Sequence, residues 1–251
     1  MRYLAALLTC AVAVGVAVSA GAQQRFGRRG APFISDPSPV NYDGKFVIVR
    51  LWYRSYPGWA FDYPDMEQNL TLILNDLSYI RAHPDGSNIF KMDDPELLKF
   101  PAAYLSEPGY WYPSESEAAG LRTYLAKGGF LIVDDFHFDN EWRVFESAMR
   151  QVLPDARIER LDQSNPVFNS FFSIKSLDVP YPGPLGERGL MGEFYGIHEG
   201  NDPSKRLMVV INYNMDIGDY MEHSGQGFFA VDPTNEAFKF GVNYFIYGLT
   251  H

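Results

Sequence analysis

The chain has 251 residues, with 31 acidic against 21 basic side chains and a net charge of −10 with His neutral. Such acidity argues against a nucleic-acid or other polyanionic partner, which a basic surface would have to attract. The single cysteine, Cys10, lies in an N-terminal apolar run, so the rest of the chain has no disulfide, thiolate nucleophile or Cys-ligated metal.

That run reads as a secretory signal peptide over residues 1–22. Arg2 gives the positive start, Leu4 to Val18 carry no charge, and Ala20-Gly21-Ala22 sets cleavage before Gln23. It is too short for a comfortable membrane span, and Thr9 before Cys10 lacks the small residue of a lipidation site. Cleavage would leave 20 basic residues (21 less Arg2) against 31 acidic, a net of −11. The expected location is periplasmic or secreted, with no stable membrane span. Residues 23–44, with Arg25, Arg28 and Arg29 among Gly and Pro, read as a flexible linker. Residues 45–251 read as one domain, long enough to bury its own core.

"KFVIVRLWY" (45–53) is the first predicted strand. Asp62 to Arg81 reads as a helix capped by Asp62, with Met66, Leu70, Ile73, Leu77 and Ile80 on one stripe. "SNIFKM" (87–92) is a second strand, Asp94 to Leu98 a helical turn, and "AAYL" (102–105) a short strand. Ser114 and Glu117 form a capping box for a helix that buries Ala118, Leu121 and Leu125 and stops at Gly128. "FLIV" (130–133) follows as a strand, then a helix capped by Asn140 and closed by Pro154. "ARIERL" (156–161) reads as a strand, and Asn165-Pro166 opens a short helix through Phe172. Residues 178–205, rich in Gly and Pro, form a long excursion with one strand at Leu190 to Ile197. "RLMVVINYN" restores a buried strand, and Asn235 to Leu249 is a closing helix. Solid apolar strands alternating with helices predict a single doubly wound α/β domain, with a mainly parallel sheet covered on both faces.

Ligands of such sheets bind beyond the carboxyl ends of the strands. The residues there are Trp52, Tyr53 and Arg54, then Ser106 and Glu107, then Asp134, Asp135 and His137, and finally Asn212, Asn214 and Asp216. Glu107, Asp134, Asp135 and His137 are the catalytic candidates, as acids and bases at one edge. Trp52, Tyr53, Ser106, Asn212 and Asn214 are the ligand-binding candidates. The same Asp and Asn residues also suit helix capping and turn bonding.

"YLSEPG", "LRTYLAKGGFLIVDD", "RVFESAMRQVLPDARIERLDQSNPVF" and "AFKFGVNYFIYGL" resemble the bacterial family known as domain of unknown function 4159, from about Lys45 to Leu249. The resemblance implies a flavodoxin-type fold like that of the class I glutamine amidotransferases, and no established activity. An amidotransferase needs a Cys on the sharp turn after a central strand. "LSEPG" occupies that turn, so the activity is excluded. Some longer relatives look membrane-anchored within envelope assemblies, which makes envelope protein partners plausible.

Other chemistries stay open. Ser106 with His137 or His223 has serine-hydrolase residue types without the glycines of a nucleophile elbow. Asp135, His137 and Asp139 alternate, so an extended segment would turn all three toward one divalent cation. No other cofactor is implied. His83, His198 and His251 read as surface residues. Trp52, Tyr53, Trp59, Tyr110, Trp111 and Tyr112 divide between core and a wall for a small neutral or cationic ligand. Two functions follow: a ligand- or partner-binding module, or a hydrolase using strand-end carboxylates and a histidine.

Overall fold

The structure, a computed structural model, describes residue 40 and residues 43–251. The expected signal peptide and most of the linker lie outside the described residues. One seven-stranded sheet runs in the order β2-β1-β3-β4-β7-β6-β5. Its strands are β1 (Phe46–Trp52), β2 (Ala82–Lys91), β3 (Ala102–Ser106), β4 (Phe130–Asp134), β5 (Glu159–Arg160), β6 (Glu193–His198) and β7 (Leu207–Tyr213). The five from β2 to β7 are parallel, and β6 and β5 close one edge antiparallel. The helices are α1 (Asp65–Leu77), α2 (Glu115–Ala126), α3 (Phe138–Val152), α4 (Pro184–Glu187), α5 (Ile217–Glu222) and α6 (Val231–Thr250).

The period-2 alternation of each strand feeds two cores. Ile48, Tyr104, Ile132 and Val210 face α1, α5 and α6, where Leu70, Met221 and Phe245 pack. Val49, Leu105, Val133 and Ile211 face α2 and α3, where Leu121 and Phe145 pack. The fold is therefore α/β with both faces covered, as the apolar strands imply. Arg50, Ser106, Asp134 and Asn212 continue the first alternation, so polar groups turn toward the α1/α5/α6 face at the ends of β3, β4 and β7 and, through Arg50, within β1.

Local signals set several boundaries. Ser114 and Glu117 form the full reciprocal capping box of α2. Gly128, at φ +105, ends the turn after it in a conformation other residues rarely adopt. Other boundaries moved. Asp62 does not cap α1, because its carboxylate is held by Arg50. The helix α3 starts at Phe138 rather than after Asn140. Glu141, in the helix's own first turn, accepts from the His137 amide, and Asn214, from the end of β7, accepts from the Phe138 amide. The "ARIERL" segment keeps two strand residues, and the 166–172 helix reduces to a 3-10 turn over Pro166–Phe168. The 178–205 excursion contributes α4 and the antiparallel β6.

Candidate functional site

The deepest layer at the strand ends is a satisfied polar network. Asp134, fully buried at the end of β4, accepts from Tyr104 Oη (2.6 Å), Asn212 Nδ2 (3.0 Å) and the Ile217 and Gly218 amides (2.9 and 3.0 Å). Asn212 in turn accepts from Tyr244 Oη of α6 at 2.8 Å. Four donors on one carboxylate fix the start of α5 against the sheet, with its N-terminal amides aimed at a negative charge. Burial pushes the Asp134 carboxyl up to about 6, against the pull of the Tyr104, Asn212 and Gly218 donors.

Beside it, Arg50 is 0 % exposed in the middle of β1. Its guanidinium donates to Asp62, to Glu67 Oε1 (2.6 Å) and to the Trp59 carbonyl (2.8 Å), and lies 5.0 Å above the Tyr104 ring. A buried cation survives only with such a set of partners. Gly218 completes the layer: a Cβ there would stand 2.5 Å from Asp62 Oδ2 and 2.7 Å from Tyr104 Oη. Gly218→Ala is expected to destabilise by roughly 1–3 kcal/mol, because these atoms are locked in hydrogen bonds and cannot yield. A urea midpoint equal to that of the wild type would refute the close packing.

Above this layer lies a cluster of carboxylates on strained turns. Just past three adjacent parallel strands, a non-glycine residue is held left-handed: Glu107 after β3 (φ 53), Asp135 after β4 (φ 62) and Asn214 after β7 (φ 51). Such conformations cost of order 1 kcal/mol or more each and collect at functional sites. Tyr53 Oη braces the turn after β3 by donating to the Ser106 and Glu107 carbonyls (3.1 and 2.6 Å). The Ser106 hydroxyl donates to Asp135 Oδ2 at 3.2 Å. Asp216 accepts from the Asp219 amide at 2.7 Å, and His137 Nδ1 lies 3.5 Å from Glu141 Oε2.

The carboxylates feel one another. Burial, then neighbouring Glu141, pushes Glu107 up to about 8. Burial, then Glu107, raises Asp135 well above the usual range, and burial with Asp135 and Asp219 does the same for Asp216. Tyr181, from the 178–205 excursion, is raised by burial and by Asp216, Asp135, Asp219 and Glu107, and its ring lies 5.2 Å from His137. Tyr56 stacks on Tyr110 at 4.3 Å, and both rings feel Glu107 and Glu141. Acids thus gather at the strand ends, with tyrosines and one histidine beside them.

Glu107, Asp135 and His137 come together in this carboxylate cluster, and Asp134 lies next to it as a structural acceptor. Asp139 is exposed on the first turn of α3. Asp135, His137 and Asp139 do not share one face, because Asp135 and Phe138 are left-handed and the helix begins at Phe138. The extended spacing expected of a metal set is therefore absent. Ser106 is fully buried and faces Asp135, which removes it from the position of an exposed nucleophile; Glu107 stands at the strained turn instead. Tyr53, Asn212 and Asn214 are buried scaffolding. Trp52 is half-buried against Lys91 on the neighbouring strand, 5.2 Å from its ammonium.

His198 is 5 % exposed at the end of β6, not a surface residue, and burial lowers its pKa. Trp59 and Trp111 belong to the core, whereas Tyr110 and Tyr112 are exposed. Sequence reasoning missed Arg50, Glu67, Glu141, Tyr181 and Asp219. An arginine inside "FVIVRLW" was the available signal for the first two, since a charge in a doubly covered strand demands buried partners.

No curated protein matches the chain in sequence. The sequence model of the family described as domain of unknown function (DUF4159) matches residues 47–249, and the chain belongs to that family.

Proposed function

We propose that this protein is an exported binding module whose ligand site is the carboxylate–tyrosine cluster, and that the group it takes is cationic, such as an organic ammonium. The observation that carries this reading is the left-handed trio Glu107, Asp135 and Asn214, strain held at the edge where such sheets bind ligands. Crowded carboxylates repel one another and hold protons, and a bound ammonium would replace those protons. Tyr56, Tyr110 and Tyr181 supply faces on which an ammonium group can rest. The resemblance to amidotransferase folds is consistent with this role, since Glu107 occupies the turn where their nucleophile would stand. Envelope partners belong to the same reading, with the signal-like N-terminus as its support.

Thermal melts with spermidine or tetramethylammonium test it. Ligand at a hundredfold excess over its dissociation constant stabilises by about 2.7 kcal/mol, so the wild-type melting temperature is expected to rise. Glu107→Gln is expected to lose most of that rise while staying folded. An equal response in both proteins would sink the assignment of the site.

The same groups set a pH dependence. Folded carboxyls at about 8 (Glu107) and about 6 (Asp134) lie above their ordinary values, so the folded state binds more protons than the unfolded one. Their stabilising contribution is complete below about pH 4 and is lost as pH rises through 6 and 8. Without ligand, the melting temperature is expected to fall between pH 5 and pH 8.5, and Glu107→Gln is expected to flatten the upper part of that slope. A melting temperature that rises over this range would refute the shifts.

A second reading is favoured by one observation: Glu107, pushed up to about 8, is a proton donor at neutral pH beside Asp135. Turnover of amide or glycoside substrates that dies in Glu107→Gln would favour a hydrolase over a binding module.

A further inference from the structure

We propose that Asp219, Glu222 and His223 form a divalent metal site on α5, beside the ammonium site and sharing the charge of Asp219 with it, that takes a borderline ion of the zinc class. The residues read Asp-Tyr-Met-Glu-His, so two ligands stand four apart and the third lies between them. On one helical turn this spacing brings side chains together. The His223 amide donates to the Asp219 carbonyl at 3.2 Å, which keeps the helical geometry through His223.

The distances place three ligand atoms where one ion could gather them. His223 Nε2 lies 3.3 Å from Asp219 Oδ1 and 3.9 Å from Glu222 Oε2, and the three ligand atoms all lie within 4.8 Å of one another. Charge-assisted hydrogen bonds close to about 2.7–2.9 Å. Tetrahedral ligands at about 2.0–2.1 Å from one ion stand roughly 3.3 Å apart. The Asp219–His223 pair, hydrogen-bonded as it stands, matches that spacing, and the Glu222 carboxylate lies somewhat wider of it.

Two further observations support it. Glu222 is 7 % exposed and faces His223 at 3.9 Å, so a buried carboxylate belongs to the set. The helix is also held at both ends. Asp134 accepts from the Ile217 and Gly218 amides at its start, and Asn69 of α1 donates to the Met221 and Glu222 carbonyls at its end. A short helix fixed in this way presents its ligands without an ordering cost. One imidazole with two carboxylates suits Zn²⁺ or Mn²⁺ better than Ca²⁺, which prefers six or more oxygens. Three protein ligands leave a fourth position open to water or substrate.

The test uses the chelator-stripped full chain. Zn²⁺ is expected to raise the melting temperature and to be retained after dialysis at one ion per chain, with Ca²⁺ giving less. Co²⁺ is expected to give the visible absorption of a tetrahedral site. His223→Asn, a change at a largely buried position, is expected to weaken Zn²⁺ binding at least tenfold and to keep the spermidine response of the ammonium site; Asp219→Asn provides a second loss of affinity. If Zn²⁺ and Co²⁺ leave no retained ion, no absorption and no shift, the triad is an ion pair only and this inference falls. A spermidine response persisting in that case leaves the ammonium site standing.

Discussion

Arg50→Leu is expected to destabilise the protein by about 3–5 kcal/mol, the usual cost of stripping one partner from a buried ion cluster. The leucine itself packs well in β1. The damage arises because Asp62 and Glu67, 6 % and 1 % exposed, lose the cation that faces them. Urea unfolding monitored by tryptophan fluorescence reads the effect. Adding Asp62→Asn and Glu67→Gln to Arg50→Leu is expected to recover a large part of the loss, because a neutral cluster no longer carries uncompensated charge. A single-mutant cost below about 1 kcal/mol, within the range of ordinary substitutions, would mean that water reaches the cluster.

Asp134→Ala comes next, at about 3 kcal/mol. Its removal abandons four donors at once, two of them the amides that begin α5. Each buried donor left without a partner costs about 1–3 kcal/mol, and a cavity that admits water recovers part of the total. Asp139→Ala, on the exposed first turn of α3, is the control and is expected to stay within about 0.5 kcal/mol. Hydrogen exchange adds a local readout: the amides of α5 are expected to lose protection in Asp134→Ala before those of α2. Equal behaviour of the two variants would remove Asp134 from the centre of the network.

The contrast between these two aspartates was partly legible. Asp134 directly follows an apolar run, so it had to lie at the mouth of a buried strand, whereas Asp139 falls where polar residues resume. Its partners were not legible, because Tyr104, Asn212 and Gly218 come from separate elements that only the sheet order makes adjacent. Glu107 and Ser106 show the same limit. Both follow β3, but which of them takes the strained position depends on Tyr53 bracing the turn from β1. Asp219, Glu222 and His223 could have been found from their spacing and from Asp216, which caps α5 by accepting from the Asp219 amide, yet the local cap alone does not place the helix. Its start is set by Asp134, 83 residues away from Ile217.

By itself the sequence determined the two-sided parallel sheet, since strands buried on both faces have to be apolar throughout, and it determined the capping of α2, whose partners are three residues apart. It also determined the edge at which polar groups gather, because the apolar pattern of the central strands breaks at their ends, with Arg50 inside β1 as the exception. The tertiary structure decided the rest: which acids are scaffold and which form the carboxylate–tyrosine cluster, where α3 begins, and that the 178–205 excursion brings Tyr181 over the carboxylates. The reason is physical. Periodicity and local caps act within a few residues and are written in consecutive positions. Burial, charge pairing and left-handed strain depend on which distant segments meet, and that is settled only once both faces of the sheet are packed.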